Sequence, residues 1–258
     1  MDWTSEDRMA LRRAKGLLEN PGLAVRIANT VGAPIEKLFT ALPEGASTAI
    51  QTATTKSLDT ALKVATSLMD EQPRAAVDRL HSVAVAATGA IGGAFGLAAL
   101  AAELPVSTTI MLRSIADIAR SEGHPIKSRV VQMSCLEVFA LGAPTHGDDA
   151  AEAGYFAVRA ALARAVSEAV EHLAARGLAA ESAPALVRLI SKIAARFGIP
   201  VTEKVLAQSV PLIGAAGGAM INVLFIRHFQ DVARGHFTVL RLEATYGPDE
   251  VKAAYAAL

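Results

Sequence analysis

Two stretches constrain this chain most: Gly89-Ala90-Ile91-Gly92-Gly93-Ala94-Phe95 and Gly214-Ala215-Ala216-Gly217-Gly218-Ala219-Met220. Both read G-A-x-G-G-A-x, and each lies in a segment without a charged residue, 82–102 and 205–226. On a helix, Gly89, Gly92, Gly93 and Gly96 fall within one arc about 100° wide, and Gly214, Gly217 and Gly218 share a face in the same way. Each such glycine costs about 0.8–1 kcal/mol relative to Ala. Close approach of a partner helix offsets that cost, as in small-xxx-small packing. The pattern therefore predicts two central glycine-rich apolar helices, about 82–102 and 211–234, packed against each other.

The remaining segments read as amphipathic helices between short breaks. Asn20-Pro21-Gly22, Pro43-Glu44-Gly45, Glu71-Gln72-Pro73, Glu103-Leu104-Pro105, Gly177, Gly198-Ile199-Pro200 and Gly247-Pro248 all carry breaker residues. The most loop-like stretch is 142–149, but helical patterning resumes at once after it. The chain has no Asn-Gly or Asp-Gly hairpin signal and no sustained period-two alternation. Apolar residues make up 52% of it and aromatics only 5%, so its apolar mass is mainly aliphatic and suits close helix packing. The expected fold is all-α, a multi-helix bundle forming one domain over 1–258.

Charge excludes some functions. The 25 basic and 25 acidic residues balance, whereas nucleic-acid binding leaves a clustered basic excess. No nucleic-acid partner is expected. The one cysteine, Cys135, rules out a disulfide framework and a multi-cysteine metal site, and its apolar neighbours Met133 and Leu136 predict a buried, inert thiol. Neither glycine stretch ends in Gly-Lys-Ser/Thr, and no G-x-S-x-G elbow occurs, so neither a phosphate cradle nor that serine nucleophile is read. No cofactor and no metal site are expected. Residues 1–7 are acidic and lack the apolar core of a signal peptide, which points to the cytoplasm.

The two uncharged segments, 21 and 22 residues long, approach the ~20 residues that span a bilayer. Both are diluted by Gly and Ala, and the second holds Gln208, Ser209, Pro211 and Asn222. No aromatic belt flanks them. A buried helix pair in a soluble or membrane-peripheral protein accounts for the same pattern, so spanning and burial both stand as readings.

Candidate site chemistry is sparse. If the last long helix continues past Gly235, His236 and Glu243 fall on its apolar arc with Phe225, Phe229, Val232 and Val239. Buried ionisable groups need partners, so Glu243 is expected to meet a base, with Arg113 a candidate. The expected buried polar network comprises Glu103, Arg113, Asp117, Asn222, His228, His236 and Glu243. A catalytic reading would draw on Glu103, His236 and Glu243, with His228 as a further candidate. A structural hydrogen-bond network would use the same residues. No tight metal-ligand spacing such as H-E-x-x-H is present.

With these residues laid out, the chain resembles the EcsC family of bacterial proteins. The resemblance rests on residues 89–97, Glu103-Leu104-Pro105, residues 113–119, Gly123, Phe197-Gly198, residues 211–222, residues 234–237 and Arg241-Leu242-Glu243. It covers the chain from about residue 70, with N-terminal helices over 4–69 packing on that core. Glu103 stands where the family often has Asp, which keeps the carboxylate. The resemblance implies a helical fold and supplies no catalytic residues to carry over. Because the family's namesake is encoded beside an ABC-transporter pair, it also implies membrane proximity. The leading expectation is a non-enzymatic accessory protein, cytoplasmic and peripheral to the inner membrane, that binds an apolar ligand or membrane lipid or contacts a membrane transporter. The alternatives are a hydrolase acting on a hydrophobic substrate through a buried Glu/His site, and an oligomeric module joined through its glycine faces.

Overall fold

Ten consecutive residues, 131–140, are buried. A helix that is covered on all sides lies in the interior of its domain, and this one, Arg129–Leu141, is the axis of the bundle. The structure is a computed structural model describing residues 2–19, 22–31, 45–67, 97–144, 150–176, 183–208 and 214–258. Among them are nine helices and no strand: α1 (Ser5–Glu19), α2 (Leu23–Val31), α3 (Ala46–Ser67), α4 (Leu97–Ser121), α5 (Arg129–Leu141), α6 (Ala150–Arg176), α7 (Pro184–Gln208), α8 (Gly214–Tyr246) and α9 (Pro248–Ala256). The all-α expectation holds. Helix α5 packs against α3, α4, α6, α7 and α8, and α8 in turn carries α1, α2, α4 and α9.

Local chemistry sets the ends. Thr4 caps α1, its Oγ1 accepting from the Asp7 N–H at 3.0 Å, and Glu6 and Asp7 favour the positive end of the helix dipole. Gly247, at φ +90°, turns the chain between α8 and α9, and Pro248 opens α9.

Two expected breaks are absent. Helix α4 runs through Pro105 and α7 through Pro200, where the sequence predicts chain turns. An interior proline forfeits a ladder bond and costs ~3 kcal/mol. Burial around each one outweighs that local preference. Glu103, Leu104, Ser107 and Thr108 are buried about Pro105, and Pro200 is itself buried beside Val201, Glu203 and Lys204. Hydroxyls also bind within the same turns: Thr109 Oγ1 donates to the Pro105 carbonyl at 2.8 Å and Thr202 Oγ1 to that of Gly198 at 2.7 Å. A smaller difference is that α5 begins at Arg129 rather than at Pro125, after a turn closed by Ser128 N–H on the Pro125 carbonyl.

Of the glycine pattern, Gly214, Gly217 and Gly218 lie in the first turns of α8, and Gly218 is buried. Gly89, Gly92, Gly93 and Gly96 fall outside the described residues, and so does the predicted meeting of the two glycine faces. Among the described residues no helix is long and apolar enough to cross a membrane.

One glycine with a visible packing role is Gly235, about two-thirds along α8 where α1 crosses. A Cβ there would lie 2.6 Å from Leu18 Cγ and 3.0 Å from the Ala14 carbonyl oxygen. Gly235→Ala gains ~1 kcal/mol of helix propensity but forces α1 outward, and overpacking costs ~1–3 kcal/mol. The expected net effect is a lower melting temperature, which the additional substitution Leu18→Ala, opening the space, reverses in part. A Gly235→Ala protein that melts higher than the parent would mean that α1 does not press on α8.

Candidate functional site

Polar side chains inside the bundle form separate groups. The deepest joins three helices. Lys204 of α7, 0% exposed, donates from Nζ to Glu103 Oε1 of α4 at 2.6 Å, and Asn222 Nδ2 of α8 donates to the same oxygen at 3.0 Å. Lys204 also lies 5.2 Å from the Phe225 ring centroid. Burial pulls the Lys204 pKa down, and the Glu103 carboxylate pushes it back up. This is a satisfied interior ion pair, and neither Glu103 nor Lys204 lines the cleft described below.

The remaining expected network residues are dispersed. Arg113 is exposed on α4, and Asp117 pairs with Arg120 at 2.7 Å. His228 Nε2 donates to the Gly142 carbonyl at 2.6 Å, which ties α8 to the end of α5 and puts the proton on that nitrogen. His236 is 0% exposed and sits behind Tyr155, whose hydroxyl meets Nδ1 at 2.8 Å, while Nε2 has no partner among the described residues. Burial holds both histidines below their usual pKa, His236 well below, so His236 stays neutral at physiological pH. The buried thiol of Cys135 is pushed up to about 12 by burial alone and is inert, as expected.

Glu243 occupies different surroundings. Its partner is Arg159 of α6, in place of Arg113. Both guanidinium nitrogens reach the carboxylate, at 2.7 and 2.9 Å, in a bidentate fork. The Arg159 plane also stacks near Tyr155 and Phe156, at 5.4 and 5.8 Å to their centroids. Arg159 and Glu243 line a cleft of about 510 Å³ between α5, α6, α8 and α9, within the roughly 300–1,000 Å³ usual for small-molecule sites.

The cleft exists because α6 carries two apolar stripes. Tyr155, Val158, Leu162, Ala165, Ala169 and Leu173 are buried and face the core. Phe156, Ala160, Ala163, Val166 and Val170 form a second stripe, half-exposed or exposed, which lines the cleft opposite Val130. The charges gather at one end. Val166 and Val170 lie seven and eleven residues beyond Arg159, about 10 and 16 Å along the axis at ~1.5 Å per residue.

The residue that sequence reasoning missed is Glu137. It stands on α5, the buried axis, is 7% exposed, and lines the charged end of the cleft. Burial pushes its carboxyl up to about 7, with Arg159 opposing. The one charged residue in the mostly apolar stretch 130–140 was the available signal. Among the described residues no three His, Cys, Asp or Glu side chains are grouped to hold a metal ion.

Two measurements test this geometry. Lys204→Met strands the Glu103 carboxylate and should cost ~3–5 kcal/mol in urea unfolding. Adding Glu103→Gln, which keeps an acceptor for Asn222, should restore most of that loss. For Glu137, folding raises the pKa from 4.5 to about 7. Below 4.5 both states hold the proton and nothing is lost. Above it the unfolded chain releases the proton while the folded chain keeps it, so stability falls as pH rises towards about 7 and then levels. The loss from this group is about 3 kcal/mol, and Glu137→Gln should remove that part of the pH slope. An unchanged slope would place Glu137 in water.

No curated protein and no solved structure among those compared matches the chain. The model of the EcsC protein family matches residues 9–242, a span that begins within α1 and ends near the close of α8, leaving α9 outside it. The chain belongs to the EcsC protein family.

Proposed function

We propose that this protein is a non-enzymatic accessory protein that holds a lipid-like amphiphile in the cleft between α5, α6, α8 and α9, at the surface of the cytoplasmic membrane. The observation that carries the reading is the second apolar stripe of α6, left open beside a charged cluster at one end. An apolar wall with a few convergent polar groups is the usual form of a small-molecule site, and its lengthwise division into apolar and charged parts suits a tail and a head group. The membrane setting, and a transporter as partner, rest on what the family resemblance implies.

A second reading is a hydrolase for a hydrophobic substrate. One observation favours it: Glu137 and Glu243 share the cleft, one desolvated and one paired with Arg159, and carboxyls held in unlike environments can divide acid and base roles. Glu103 and His236 are not among the cleft-lining residues, so this reading keeps Glu243 alone of the catalytic candidates read from sequence.

Native mass spectrometry of protein purified without detergent tests the first reading. The expected result is a bound species of lipid mass that is lost in Ala163→Trp, which fills the cleft from an exposed position. Protein that carries nothing, and takes up nothing from added vesicles, sinks it. Turnover of a neutral long-chain ester, abolished by Glu137→Gln in a folded protein, would instead favour the hydrolase.

A further inference from the structure

We infer that the charged end of this cleft takes a cationic head group, an ammonium, with Glu137 as its counter-ion. The inference rests on the reading of the cleft as an amphiphile site and names the class of head group.

Glu137 lines the cleft, is more than nine-tenths buried, and forms no hydrogen bond with any described residue. With no hydrogen bond from a described residue and its oxygens reaching the cleft, the carboxyl is open to a ligand donor arriving there. The other charged groups leave the role to Glu137. Arg159 on α6 is paired with both oxygens of Glu243 on α8, so its charge is already balanced, and an anionic head would meet the Glu137 and Glu243 carboxyls beside one paired guanidinium. Helix α9 adds one acid and one base to the lining, Asp249 and Lys252. Arg159 and Lys252 thus face Glu243 and Asp249 in equal number, and ionisation of Glu137 gives the lining a net negative charge. Tyr155 on α6 also interacts electrostatically with Glu137. Helices α3, α4 and α7, which also pack around the bundle axis, contribute no residue to this lining. A divalent cation is a poorer fit, because hard cations require several free oxygens and Glu243 is committed to Arg159.

The sign of the pH effect follows. An alkylammonium stays protonated through neutral pH, with an ordinary amine pKa of ~10.4. Binding it requires Glu137 to ionise. Affinity should therefore rise about tenfold between about pH 6 and pH 8 as a carboxyl of pKa about 7 loses its proton. The neutral alcohol of the same chain length should show no such rise.

The experiment is calorimetric titration of the full chain with dodecylammonium, dodecanol and dodecanoate, the two ions below their micelle concentrations and the alcohol below its solubility limit. Expected are tighter binding of dodecylammonium than of the other two at pH 8, a tenfold weakening at pH 6, and loss of both the preference and the pH dependence in Glu137→Gln. Three outcomes overturn the head-group assignment while leaving the cleft as an amphiphile site: dodecanol binding as well as dodecylammonium, dodecanoate binding best, or an undiminished preference in Glu137→Gln. If none of the three probes binds, the amphiphile reading of the cleft falls with it. The wild-type comparison among probes decides the matter even if the variant folds poorly.

Discussion

The bundle is organised around an ammonium and a carboxylate held in its interior. Lys204, Glu103 and Asn222 come from α7, α4 and α8, and the contacts among them fix the relative rotation and height of three helices that otherwise meet through interchangeable aliphatic surface. Aliphatic packing is non-directional, so a bundle rich in Ala, Val and Leu has many near-equivalent registers. A desolvated ion pair admits one, because any slip leaves a charge without its partner. The same anchorage explains why α4 and α7 tolerate internal prolines. Glu103 lies two residues before Pro105, and Lys204 four after Pro200, so each proline sits beside the strongest fixed point in its helix.

The cleft follows from a different imbalance. Helix α6 has more apolar surface than its neighbours cover. One stripe is spent on the core, and the other remains beside the arginine and carboxylates contributed by α5, α6 and α8. The bidentate fork between Arg159 and Glu243 closes one side of that charged end, while Glu137 stays open on the other. Among the described residues no side chain donates a hydrogen bond to Glu137, and Arg159 acts on it only through its charge.

How much of this could be read from the sequence depends on the range of each interaction. The helical class was legible because 3.6-residue periodicity is local and survives in the primary structure. The helix ends at Pro105 and Pro200 were misread because breaker residues act locally, whereas the burial that overrides them comes from elsewhere in the chain. Family membership was legible from the order of small motifs. The charge partners were not: Glu243 was seen to need a base, but Arg159 is 84 residues away and nothing in its own helix marks it out. Lys204 was likewise hidden, since a lysine at a core position is invisible until the facing carboxylate is known. Glu137 had a sequence signal, a lone acid in an apolar run, yet its meaning required the cleft.

The crossing of α1 over Gly235 has a consequence for the order in which this protein can assemble. Among the described residues, helix α1 packs chiefly on α8, far along the chain. Ala14 and Leu18 rest on a residue that lies more than two hundred positions later, and Trp3 and Asp7 are held by Tyr246 and Arg241. During synthesis at ~5–20 residues per second, the apolar face of α1 is made first and then waits on the order of ten to forty seconds for its seat to emerge. Through that interval Leu11, Ala14 and Leu18 lack their seat, while the exposed arginines at 8, 12 and 13 already have the solvent they face in the folded protein. Until α8 is made, that narrow apolar face is open to whatever lies near the ribosome, so the first contacts of α1 are not those of the finished fold.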